Sequence, residues 1–123
     1  MKTLGLDFGT KRIGVAVSYL SLAQPLTIID NDNQIWQQLE NLIKEHKIKH
    51  IVVGISENQM AKKTQMFVKE LQRHFDLPVT MIDETLTSYQ VHQWLRQQPA
   101  KKRNQPIDHM AAAVILQQYL DQM

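Results

Sequence analysis

Asp7 interrupts an otherwise apolar stretch, Leu4-Gly5-Leu6-Asp7-Phe8, close to the start of the chain. A β-strand sends successive side chains to opposite faces, so Asp7 shares a face with Gly5 and Gly9 and stands opposite Leu4, Leu6 and Phe8. Glycines leave room beside a carboxylate, which is a hard oxygen donor suited to magnesium or manganese. The alternative is a local role, in which Asp7 only accepts hydrogen bonds from the turn that follows it. Metal-assisted phosphodiester cleavage needs more than one acid, because two cations about 4 Å apart must be balanced while they stabilise the attacking and leaving oxygens.

Two other places offer partners. Val79-Thr80-Met81-Ile82 leads into Asp83-Glu84. A parallel strand beside the first would deliver one of these acids to the carboxyl edge of the sheet, where open α/β sheets hold their ligands. Neighbours point oppositely, so one of the pair faces the metal; Glu84 is favoured, with capping of a helix starting near Thr87 as the alternative. Asp108 lies in the first turn of the final helix, and Ala111-Ala112-Ala113 after it would let that helix approach the sheet closely. Asp108 therefore serves either as a third ligand or as a partner for the helix dipole, worth about 0.3 to 1 kcal/mol. His109, a softer donor beside it, suits a local or supporting contact better than a hard cation.

Cations could hold a phosphate. Gly9-Thr10-Lys11-Arg12 brings backbone donors, a hydroxyl and two positive side chains directly after Asp7, though such a turn also simply closes a hairpin. Lys101-Lys102-Arg103 is the densest basic run, fit for nucleic acid or for a solvated loop. Trp36 and Trp94 fall on apolar helix faces and read as core rather than as a base-stacking platform.

The elements that must position these residues follow from periodicity. Residues 3 to 8 and 13 to 19 form two strands joined by the tight turn at 9 to 12, a hairpin. A third strand spans 22 to 29, with Pro25 calling for an edge position. Asp30-Asn31-Asp32-Asn33 breaks the pattern and can cap a helix over 34 to 47 that carries Ile35, Trp36, Leu39, Leu42, Ile43 and His46. The β-branched run at 50 to 54 predicts a central strand covered on both faces. A helix from Met60 to Phe75, a strand over 79 to 83 and a helix carrying Val91, Trp94 and Leu95 come next. An exposed loop from Gln97 to Pro106 and a last helix from Ile107 to about Leu120 complete the order. The first three strands are antiparallel and the later ones arrive through helices, which predicts a mixed α/β sheet of five strands with helices on both faces.

Composition sets the outer limits. With 123 residues the chain reads as a single domain, 1–123. A charge of +2 does not announce a nucleic-acid binder, and the absence of cysteine excludes disulfides, thiolate nucleophiles and Cys-based zinc sites. No signal peptide or membrane span is evident, so a cytoplasmic location away from membranes is expected.

The segment Leu4 through Ser18 resembles the opening motif of the YqgF family of pre-16S rRNA nucleases, also described as Holliday-junction-resolvase-like proteins. Ile51-Val52-Val53-Gly54, Asp83 through Ser88, and Asp108 through Leu120 agree in the same order. The resemblance implies a ribonuclease H-like fold and a metal-dependent endonuclease using Mg2+ or Mn2+, with Asp7, Glu84 and Asp108 as catalytic, metal-binding acids. It implies nucleic acid as the partner: pre-16S rRNA, whose 5' end would be processed during ribosome biogenesis, or branched DNA in a four-way junction. Thr10, Lys11, Arg12, Lys101, Lys102 and Arg103 are the candidate nucleic-acid contacts, and a monomer or weak homodimer is expected. Thr85 replaces the family's usual Arg, Tyr19 an acid, and Ile55-Ser56-Glu57-Asn58-Gln59 a Leu-Pro loop. These departures motivate a different alternative, a non-catalytic ribosome-assembly factor that binds nucleic acid.

Overall fold

The computed structural model describes residues 2–55, 60–83 and 108–122, with backbone alone at 55, 60, 61, 83 and 108–110. Strands β1 (Thr3–Phe8), β2 (Arg12–Tyr19) and β3 (Leu22–Asp30) come first. Then α1 (Ile35–His46), β4 (His50–Ile55), α2 (Met60–His74) and β5 (Val79–Asp83) alternate, and α3 (Asp108–Asp121) comes last among the described residues. The five strands form one sheet in the order β3-β2-β1-β4-β5. β1, β2 and β3 pair antiparallel, whereas β4 lies parallel to both β1 and β5. This is the mixed sheet expected from the sequence. Pro25 lies on an edge strand, as its missing N–H requires, and a register irregularity at Val15/Ala16 lies opposite this stretch.

Alternation sorts the side chains onto two faces. Leu4 and Leu6, with Ile13, Val15, Val17, Ile51 and Val53, pack beneath Ile35 and Leu39 of α1 and Phe67, Val68 and Leu71 of α2. The other face carries Ala16 and Val52 against Ala112, Ala113, Ile115 and Leu116 of α3. β4 is therefore covered on both sides, which explains its unbroken apolar run.

Helix starts depart from expectation in one detail. The residue before α1 is Gln34, with no side-chain cap bond. Asp32 accepts the Gln34 N–H at 2.9 Å instead, two residues before the cap position. Lys47 ends α1 in the left-handed region at φ 54°, its N–H returning to the carbonyl of Lys44. Among the described residues no helix is long and apolar enough to cross a membrane.

Candidate nucleic-acid-processing site at the carboxyl edge

Asp7 is the partly buried penultimate residue of β1. Its register partners are Gly14 on β2 and Gly54 on β4. Neither register partner therefore has a side chain. Sequence reasoning credited Gly5 and Gly9 with this clearance; the lateral pair Gly14 and Gly54 was missed because only strand register reveals it.

Gly5 does different work. A Cβ built there would lie 2.8 Å from the Leu116 Cβ and 3.1 Å from the Ala112 carbonyl oxygen. Glycine is therefore required for α3 to sit against β1, and the small Ala112 completes the contact from the helix side. The direction of α3 follows from two points. Tyr119 meets the His50 ring edge-on at 5.0 Å, and His50 pairs with Thr3 at the amino edge. Leu116 and Ala112 then cover Gly5, further up the sheet. One more turn of helix, about 6 Å, separates Ala112 from Asp108. Two residues of strand, about 6.6 Å, separate Gly5 from Asp7. The helix start and the Asp7 end of β1 therefore converge on the same edge.

β5 approaches that edge from the other side. Gly54 pairs with Ile82, and Ile55 with Asp83. The row containing Asp7 thus continues through Gly54 to Ile82, leaving Asp83 one position out of it. Glu84, Lys101, Lys102, Arg103, Trp94 and the expected helix near 91 to 95 lie outside the described residues. Among the described residues no three His, Asp or Glu side chains gather into a metal-binding group.

The turn after Asp7 is held from an unexpected quarter. Asn31 donates through Nδ2 to the Gly9 carbonyl at 2.8 Å and through its backbone N–H to the Lys11 carbonyl at 2.9 Å. A Cβ at Gly9 would lie 2.5 Å from the Arg12 carbonyl oxygen, so the turn closes only around glycine. Thr10, Lys11 and Arg12 are exposed on it, at the edge where β1 ends. Asn31 was read only as part of a helix-capping cluster; its place in a polar run after β3 gave no sign of the bond to Gly9, 22 residues away.

Away from this edge, polar groups serve the frame. Gln117 accepts the Ala23 N–H at 2.8 Å and donates to the Ser21 carbonyl at 3.1 Å, tying α3 to the β2–β3 hairpin. Ser18 Oγ accepts the buried Thr3 N–H at 2.8 Å. His50, buried, hydrogen-bonds Thr80 at 2.8 Å, and burial lowers its pKa from the ordinary 6.5. Trp36 packs against the core, stacked on Phe67 and His74, in keeping with its expected structural role. Tyr19, where the resemblance calls for an acid, ends β2 at the opposite edge from Asp7 and is 59% exposed. Seven residues of strand, about 23 Å, separate it from Arg12, so this departure does not touch the Asp7 site.

A mixed sheet of this order, with an acid near the end of its central first strand and a helix start brought over it, is a ribonuclease H-like fold, the scaffold of the resolvase class. Thermus thermophilus RuvC, solved in complex with a Holliday junction substrate, shares it with a TM-score of 0.66 at 15% identity, over 98% of this chain and 93% of that one. The family model RuvX, Holliday junction resolvase, matches residues 1–122, and the chain belongs to that family. A relative from Sulfurihydrogenibium sp., bearing the name "Putative pre-16S rRNA nuclease", is 39% identical over 99% of this chain and 91% of its own length. One of the same name from Crocosphaera subtropica is 40% identical, over 99% of this chain and 94% of its own length.

Proposed function

We propose that this chain is a metal-dependent endonuclease that processes pre-16S rRNA, a single-domain hydrolase acting on phosphodiester bonds. One observation carries the reading: Asp7 stands at the carboxyl edge of β1 flanked in register by Gly14 and Gly54, where α3 begins. A glycine on each side in register leaves room for a carboxylate that shares a hydrated cation. Family membership and the names of the relatives supply the substrate class.

In this reading Asp7, Glu84 and Asp108 are the acids. Asp83 stands one position out of the Asp7 row, and the family resemblance favours Glu84 over it. Three hard oxygen donors suit Mg2+ or Mn2+, which when bound would activate water and stabilise charge on the phosphate. The chain's own contribution is placement: Gly5 lets α3 reach the edge, and Asn31 holds the turn that presents Thr10, Lys11 and Arg12 to the substrate backbone. Lys101, Lys102 and Arg103 add charge for the same purpose. Such a substrate would put the enzyme in the cytoplasm, as a monomer or weak homodimer.

The test is cleavage of precursor small-subunit RNA with magnesium or manganese. Wild type should cut, and Asp7→Asn, folded normally, should lose at least about a hundredfold, as when a group stabilising transition-state charge is removed. A wild-type chain inert with both metals, beside a working control nuclease, refutes the reading. The family description favours a second substrate, the four-way DNA junction. Paired cuts there need two sites, so a complex with one protein copy per junction argues against it. Rescue of a deletion strain by Asp7→Asn would instead favour a non-catalytic assembly factor.

A further inference from the structure

α1 and α2 cover the same face of the sheet, yet their outer surfaces carry charge differently. On α1, Glu40 pairs with Lys44 at 3.1 Å, and Lys44 and His46 occupy the last turn, where the helix dipole favours cations. α2 follows this rule at its end, where Arg73 and His74 occupy the last turn, and departs from it at its start. Its first turn holds no acid but contains Lys62 and Lys63, at the end of the helix where the dipole is positive. Lys62, Met66, Lys69 and Arg73 then recur at helical spacing on the ridge opposite the buried Thr64, Phe67, Val68 and Leu71. All four ridge residues are exposed. Glu70, the one acid on the helix, lies beside the ridge and is engaged by Arg73 at 2.9 Å and His74 at 3.9 Å.

Four of the chain's 14 Lys and Arg and one of its 12 acids lie on α2, which leaves ten against eleven elsewhere. The helix therefore carries a net charge of +3 against +2 for the whole chain, as much as Lys101-Lys102-Arg103. Like charges along one ridge repel, and cations at a helix start oppose the dipole, so stability alone would select another arrangement. A polyanion laid along the ridge removes both penalties. The ridge also begins at the same edge of the sheet, on the face opposite Asp7: α2 follows the carboxyl end of β4, and Phe67 stacks at 4.7 Å on Phe8, the residue after Asp7. From Lys62 to Arg73 it runs about 16 Å.

We propose that the outer ridge of α2 is a track for the phosphodiester backbone of a nucleic acid, continuing away from the Asp7 edge. The proposal rests on the nucleic-acid part of the function proposed above and adds a surface to it. Phosphate contact of this kind positions the substrate and does not read its sequence.

Binding is measured by fluorescence polarisation with a labelled RNA hairpin, using the full chain carrying Asp7→Asn and magnesium so that the probe stays intact. With Lys62→Gln, Lys69→Gln and Arg73→Gln added together, affinity at about 0.1 M salt should fall roughly tenfold or more, and the slope of log K against log salt should become shallower by about 2 to 3. The same change at Lys2, Lys47 and Lys49, exposed at the amino edge, should leave the slope unaltered. Circular dichroism establishes that both triple variants are folded. An α2 variant that matches its parent in affinity and slope overturns the proposal, as does an equal loss in both triple variants, which would make net charge the cause. A parent that binds no RNA overturns the track and the nucleic-acid reading together. Wild type that binds along α2 but cuts nothing refutes nuclease activity alone.

Discussion

The two faces of the sheet are packed to different ends. Under α1 and α2 the contacts are large: Leu4, Leu6, Ile13, Leu39, Ile51 and Leu71 are fully buried, and Phe8, Phe67 and Trp36 stack in series. Under α3, Val52, Ile115 and Leu116 are fully buried too, but they alternate with small residues, Gly5 and Ala16 on the sheet and Ala112 and Ala113 on the helix. Large side chains bury more apolar surface and hold the fold, at about 25 cal/mol per Å². Small ones give that up and bring backbones together. The α3 face combines burial at Val52, Ile115 and Leu116 with close approach at Gly5, and closeness is what carries a helix start to the edge where Asp7 stands. One face therefore sets stability and the other sets the geometry of the proposed site.

Substitutions can break that division. The largest effect should come from Asp7→Asn, which abolishes cleavage while leaving the unfolding midpoint near wild type, measured by nuclease assay beside thermal melting. Leu71→Ala should be its mirror image: a cost of about 2 to 5 kcal/mol in denaturant unfolding, with cleavage per folded molecule retained. Gly5→Ala falls between them. Its Cβ meets Leu116 at 2.8 Å, so α3 must shift, at about 1 to 3 kcal/mol. Its activity per folded molecule should drop more than that of Leu71→Ala, and equal retention in both would dissolve the distinction between the faces.

Smaller changes sharpen it. Asn31→Ala removes the bond to the Gly9 carbonyl, worth about 0.5 to 1.5 kcal/mol, and should raise KM more than it lowers kcat, because the turn presenting Thr10, Lys11 and Arg12 loosens. His50 probes the amino edge of the α3 face. Burial disfavours its charged form, so the unfolded chain binds the proton more readily, and stability present above pH 6.5 is lost as pH falls below it. His50→Asn should flatten this part of the melting profile between about pH 7.5 and 5.5, with little effect on cleavage at neutral pH.

Much of the frame was legible in order. Alternation around Asp7 assigned its face correctly, Pro25 announced an edge strand, and the apolar run at 50 to 54 announced a doubly covered one. Those signals are local, because period and proline chemistry act within a few residues. What escaped is non-local. Ala111-Ala112-Ala113 suggested a close helix without saying what it would meet, and Gly5 supplied the answer. Asn31 looked like a cap until the fold brought it to Gly9. The basic run at 101 to 103 drew notice because its charges are consecutive, whereas the α2 ridge spreads its cations at helical intervals and reads as ordinary amphipathic surface.

The sequence by itself determined that an acid would stand near the end of an apolar strand, on the face away from Leu4 and Leu6, and its motifs determined the family. Those facts depend on side-chain alternation and residue order, which no packing can alter. Only the tertiary structure decided what surrounds that acid. Register put Gly14 and Gly54 beside Asp7, and the close seat of Ala112 and Leu116 on Gly5 aimed α3 at the same edge. Register and helix placement are collective choices of the whole sheet, and no short stretch of chain contains them.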